Sequence, residues 1–359
     1  MCYTNFVSRQ VSKCIHFFST IRYIIYLRMF CGLYYNCSSS FKIRCIARLY
    51  CFIIYCLNLH YNSYIFTTNV SLTNFFHTFI ILAEVSVHIL FSLYTGESNF
   101  ISFCIEMNKL TSDPNEFIAT KCVTTHFIAY LVIVSHILSS TLICGARASC
   151  FTFSVILTSM TFLTTLLSRF TTIIMFDVVW IRMRSLRKIL VNALESDLAE
   201  NEKAKSIESF LNAYKQIIAS TRITKLATRN LVIFNFVSMF GRIMTLIYFC
   251  INNPGYLDTY HMSLWIFGIL LAGFVTCAPP VLVEMNVNEL DEIKYALADQ
   301  LVDYTDDNYR TAIYNALDYV EVHSIRYTLW KNFPMDLTMF FGFAGFCATY
   351  IIGLLQFTY

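Results

Sequence analysis

A membrane-length apolar run holds few groups able to bind an ion or a polar ligand, so each one is informative. The C-terminal run reads Thr349-Tyr350-Ile351-Ile352-Gly353-Leu354-Leu355-Gln356-Phe357. Gln356 is a lone carboxamide beside an aromatic. Its carbonyl can ligand a partly hydrated cation. In lipid it costs free energy unless it meets water or a partner. Glu84 sits within a second apolar run, with His88 one helical turn later and His77 two turns earlier, so all three share roughly one helix face. Arg242 interrupts another run. A Glu84–Arg242 ion pair would answer two desolvation costs together; the alternative is a polar wall of a ligand cavity. His136 and Trp265 are the remaining ligand-binding candidates, set against readings as a satisfied buried imidazole and an interfacial anchor. Arg169 and Asp177, near one end of a span, are expected to reach the headgroups.

These groups need long apolar helices to hold them. The chain has 359 residues, of which 57% are hydrophobic and 14% charged; a soluble domain carries about 25% charged residues. The fold class expected is all-α, a polytopic membrane protein. Residues 49–83, 122–146, 148–168, 259–283 and 337–359 carry no charge. With about 20 residues needed per crossing, seven transmembrane helices are predicted at 45–66, 72–94, 123–144, 150–178, 231–251, 261–283 and 337–358.

Basic residues orient the bundle. Segment 1–44 has six Lys and Arg and no acid, loop 95–122 has two, loop 182–230 has ten and loop 284–335 has four; the alternate loops contain only Arg147. This places the N-terminus in the cytoplasm and, after an odd number of spans, the C-terminus outside. The expected organisation is a cytoplasmic segment 1–44, transmembrane helices one to six over 45–283 with the long loop 182–230, cytoplasmic anchor helices over 284–336 and a seventh helix over 337–359. Both long loops show apolar residues at three- and four-residue spacing and are predicted helical. Loop 182–230 is net +5 and loop 284–335 net −6, which favours their docking below the membrane. The sequon at Asn69 falls outside in this topology.

Several classes are excluded. A net charge of +3 makes no case for nucleic acid. No nucleophile elbow, metalloprotease, P-loop or dinucleotide motif appears, so no enzyme is expected. The 14 cysteines form no C-x-x-C pair or zinc spacing, and no cofactor is implied. Cys144 and Cys150 flank one short hairpin and could bridge. Two competing readings remain: a G-protein-coupled receptor, which would need the opposite orientation, and a proton-coupled transporter, whose inverted repeats are not visible.

The motif Thr349-Tyr350, five apolar residues, then Gln356-Phe357 resembles the signature of insect gustatory receptors at every fixed position. Phe333-Pro334-Met335-Asp336 resembles the Phe…Asp element opening the family's last helix, with Asn332 where a Gly is common. Arg28-Met29-Phe30-Cys31-Gly32-Leu33 resembles the Arg…Gly-Leu stretch before its first span, and Asn235 another recurrent polar position. The resemblance implies a ligand-gated, non-selective cation channel of four subunits, homomeric or mixed with other gustatory receptor subunits. It implies a plasma-membrane location in gustatory neurons, a small-molecule tastant, and a pocket among spans two to six. The last helix would line the pore, with Gln356 near the outer mouth, Phe357 or Leu355 as an apolar constriction, and Ile352 and Ala348 on the path below.

Overall fold

The computed structural model describes residues 22–36, 40–68, 72–95, 97–109, 128–134, 153–196, 198–252, 259–303, 307–330 and 333–358. Apart from short turns and one two-stranded hairpin, the described residues are helical. In chain order the elements are α1 (Arg22–Phe30), α2 (Phe41–Thr68), α3 (Leu72–Thr95), α4 (Ser98–Lys109), α5 (Phe153–Ser168), α6 (Phe170–Glu195), α7 (Glu200–Asn252), α8 (Thr259–Asp303) and α9 (Asp307–Val322). Strands β1 (Thr328–Trp330) and β2 (Phe333–Pro334) and the last helix α10 (Leu337–Thr358) follow. Six of these helices contain apolar stretches long enough to cross a membrane. The third expected span lies outside the described residues except for a helical stretch at 128–134. Asn69, Cys144 and Cys150 also lie outside them.

Helices α7 and α8 each contain an expected span and continue well beyond it, and α6 holds the end of one and also runs on. The expected fifth span, 231–251, is the C-terminal part of a 53-residue helix. No Gly or Pro falls between Glu200 and Phe240, so nothing in the backbone chemistry ends the helix where its composition turns from polar to apolar. Helix α8 runs 45 residues through Pro279 and Pro280. The expected fourth span is divided: α5 ends at Ser168 and α6 begins at Phe170. At the break the Arg169 amide bonds to the Leu166 carbonyl at 3.3 Å, a tightened turn.

The extensions of α6, α7 and α8 pack with α9 into a second helical bundle continuous with the membrane-length one. Leu190, Leu194, Ile207, Phe210, Tyr214, Leu290, Ile293, Leu297, Ile313, Ala316 and Val320 are buried there, along the stripes seen in the sequence. The opposed charges of the two loops meet where Arg187 Nε pairs with Glu289 Oε2 at 2.7 Å. The Tyr214 hydroxyl donates to the His323 carbonyl at 2.7 Å.

The hairpin links this bundle to α10. Thr328 pairs with Pro334 and Trp330 with Phe333, and the Met335 amide donates to the Tyr327 carbonyl at 2.8 Å. The Tyr327 ring meets Phe176 edge-on at 5.0 Å. Burial pushes the Tyr327 phenol up to about 12, against the lowering effect of Thr224 and Thr228. Asp336 caps α10: its Oδ1 accepts from the Met339 amide at 3.2 Å.

Candidate functional site

Glu84 stands on α3 with no solvent exposure. Its two carboxylate oxygens serve different neighbours. Oε1 accepts from Arg169 Nη2 at 2.6 Å. Oε2 accepts from the Ser238 hydroxyl at 2.5 Å and lies 2.7 Å from Arg242 Nη2. Glu84 and Arg242 therefore form the ion pair considered from sequence, and a second guanidinium joins them. Arg169 is 1% exposed. Its Nη1 donates to the Ala272 carbonyl at 2.9 Å and to the Thr276 hydroxyl. One carboxylate thus ties α3 to α7 and, through Arg169 at the α5–α6 break, to α8.

His88 lies one turn beyond Glu84 on the same buried face. Its Nε2 contacts Asn235 Oδ1 at 3.0 Å. Because that oxygen can only accept, Nε2 carries the proton. The ring also meets Phe234 edge-on at 5.8 Å. Gly241, one residue before Arg242, lets α3 approach closely: a Cβ there would stand 3.0 Å from Ile80 Cδ1.

Arg169 and Asp177 do not reach toward headgroups as expected; both are buried. The reason is local. Thr161, Thr164, Thr165, Ser168, Thr171 and Thr172 surround Arg169 in sequence and are all buried, so this face turns toward protein. That run of hydroxyls was the available signal. The side chains of His77, His136, Trp265 and Phe357 lie outside the described residues.

A second polar contact joins α1 to the α3–α4 corner. Arg28 donates to Thr171 and, at 3.3 Å, to Glu97 Oε1. Burial raises the Glu97 carboxyl, and the neighbouring Arg28 works against that shift. Gly32, at φ +90, ends this stretch, and a Cβ there would come within 2.9 Å of Ile54 Cγ2. Both the positive φ and the close approach require glycine. The Tyr34 amide then donates to Ser92 Oγ at 3.0 Å.

Helix α10 is built differently. Its inner side carries Met339, Phe343, Cys347, Ile351 and Leu354, which are buried or half-buried. Phe343 packs on Phe236 at 5.1 Å, Phe346 on Phe240 at 4.9 Å and Tyr350 on Phe240 at 5.4 Å. Thr349 Oγ1 donates to the Gly345 carbonyl at 2.9 Å. Ala348, Ile352, Leu355 and Gln356 are exposed along the outer side, and a Cβ added at Gly342, Gly345 or Gly353 would meet nothing within 4 Å. Gln356 is therefore brought near neither Glu84 nor any partner within the described chain, and its outer face stands open.

No family model matches the chain, and no curated protein sequence does. The fold does have solved counterparts. The insect olfactory receptor OR5 from Machilis hrabei superposes with a TM-score of 0.71 at 13% identity, over 96% of this chain and 99% of that one. The same receptor in complex with eugenol superposes with a TM-score of 0.70 at the same identity and coverage. The chain is a multi-pass helical membrane protein with the fold of those receptors.

Proposed function

We propose that this chain is the subunit of a ligand-gated, non-selective cation channel of the insect chemoreceptor type, acting as a gustatory receptor. Four copies would stand around a pore lined by α10, with the N-terminus in the cytoplasm and a small-molecule tastant seated in the bundle. The observation that carries the reading is the two-sided character of α10. One side is fastened to α7 by aromatic rings, while Ala348, Ile352 and Gln356 run along the other at four-residue steps and are exposed among the described residues. An exposed amide on a lipid-length helix needs water or another subunit. A central pore supplies both. The likeness to a receptor solved in complex with eugenol supports a small-molecule ligand.

In this reading Gln356 coordinates passing cations through its carbonyl, and Leu355 or Phe357 closes the path by dewetting. The pocket residues are Glu84, His88, His136, Arg242 and Trp265. Ligand binding biases the open arrangement, and moving it from one per cent to ninety-nine takes about 5.5 kcal/mol of differential affinity, which four pockets share. The bundle formed by α9 and the extensions of α6, α7 and α8 anchors the subunits to one another. Voltage clamp of cells expressing the chain, challenged with a panel of sugars and bitter compounds, tests the proposal. Tastant-evoked cation current that changes in ion preference in Gln356→Ala supports it. Saturable uptake without current, or unchanged selectivity at normal surface expression, contradicts it.

A further inference from the structure

Charge does not balance around Glu84. Two guanidiniums, Arg169 and Arg242, face this one carboxylate at 2.6 and 2.7 Å. The cluster therefore carries one surplus positive charge, and a protonated His88 would only add to it. All three ionic side chains are at most 6% exposed. An uncompensated charge at that burial is costly.

Among the described residues no second acid pairs with these guanidiniums. Residues 122–146, which cover the third span, contain none. Asp177 lies eight residues beyond Arg169, and Glu284 eight residues beyond Thr276, about 12 Å along each helix. Glu97 faces Arg28. Donors are also left over. Arg169 Nε and Arg242 Nε are buried without a hydrogen-bond acceptor among the described residues, while Arg242 Nη2 is engaged with Glu84. Surplus charge and idle N–H donors in one place are the makings of an anion site.

We infer that the Glu84–Arg169–Arg242 cluster binds a small monovalent anion, either a halide ion or the carboxylate of the gating ligand. The inference rests on the pocket reading only for the second source. The anion would complete the guanidinium hydrogen bonding and lock α3, α7 and α8 around the α5–α6 break. Glu84 sets its strength, because it is the one group of like sign beside the anion. Removing the Glu84 charge should therefore tighten binding, whereas a purely structural carboxylate would show no such gain.

The test uses the purified full-length chain in detergent. Its melting temperature is followed against sodium chloride and against sodium benzoate, with sodium sulfate holding ionic strength constant. A saturable rise in melting temperature is expected from a ligand that binds only the folded state. Arg242→Gln should abolish the rise. Glu84→Gln, which keeps an acceptor for Arg169 and Ser238, should lower the half-saturating anion concentration by about tenfold. A response to chloride alone identifies a resident halide, and a response to benzoate identifies the carboxylate source; either supports the inference. No anion dependence in the native chain overturns it, as does a response left unchanged by both substitutions. The pocket reading fails separately: if Glu84→Gln shifts the anion response but leaves tastant-evoked current unchanged, the anion site stands and the ligand lies elsewhere.

Discussion

The two places where polar groups enter the membrane-length helices are solved in opposite ways. Around Glu84 every ionic partner comes from the same chain, gathered from α3, α7 and the α5–α6 break and buried. On α10, Gln356 stands at the open side of a helix whose other side is packed. The first arrangement is complete within one subunit apart from its charge, and damage to it should be paid in folding. The second leaves an amide exposed on a membrane-length helix, and under the proposed pore reading damage to it should be felt in conduction and not in stability. Polarity in a membrane helix therefore does not by itself indicate a pore. What distinguishes the two regions is whether the chain supplies the partner.

Substitutions can break this contrast. Glu84→Leu leaves two buried guanidiniums facing apolar atoms and should cost about 3–5 kcal/mol, seen as loss of the monodisperse peak when detergent extracts are heated and gel-filtered. Phe240→Ala removes the ring contacts to Phe346 and Tyr350. At about 0.5–1.5 kcal/mol per aromatic pair it should loosen α10 and lower the melting temperature less than Glu84→Leu does. Gly32→Ala forces a Cβ into the positive-φ region against Ile54 and should cost about 1–3 kcal/mol. Asp336→Ala removes the cap of α10 and should cost about 1 kcal/mol. Gln356→Ala comes last on this scale, within about 0.5 kcal/mol of the native chain, while giving the largest change in ion preference. A Gln356 variant that melted as early as Glu84→Leu would erase the distinction.

Much of this was legible in the residues. Helix α10 was expected at 337–358 and is observed at Leu337–Thr358, because a charge-free run bounded by Asp336 leaves no other start. The pairing of Glu84 with Arg242 was one of two readings that the sequence left open, the other being a polar cavity wall, and two costly buried charges do meet. Arg169 was misjudged because a basic residue near the end of an apolar run usually reaches toward water. The threonines on both sides of it outweighed that habit. The length of α7 was hidden because hydropathy marks the membrane and not the helix. Its polar and apolar halves read as separate units, although no residue between them breaks the backbone. The surplus charge at Glu84 could not be read from sequence at all, since it depends on which helices meet.

The proposed pore requires α10 of several chains to surround a shared ion path. A cryo-EM reconstruction of the full-length chain tests it most directly. Four subunits are expected about a symmetry axis lined by α10, with Gln356 facing the axis and the Glu84 cluster enclosed within each subunit. A monomer, or an assembly whose axis is lined by other helices with Gln356 against lipid, would contradict it.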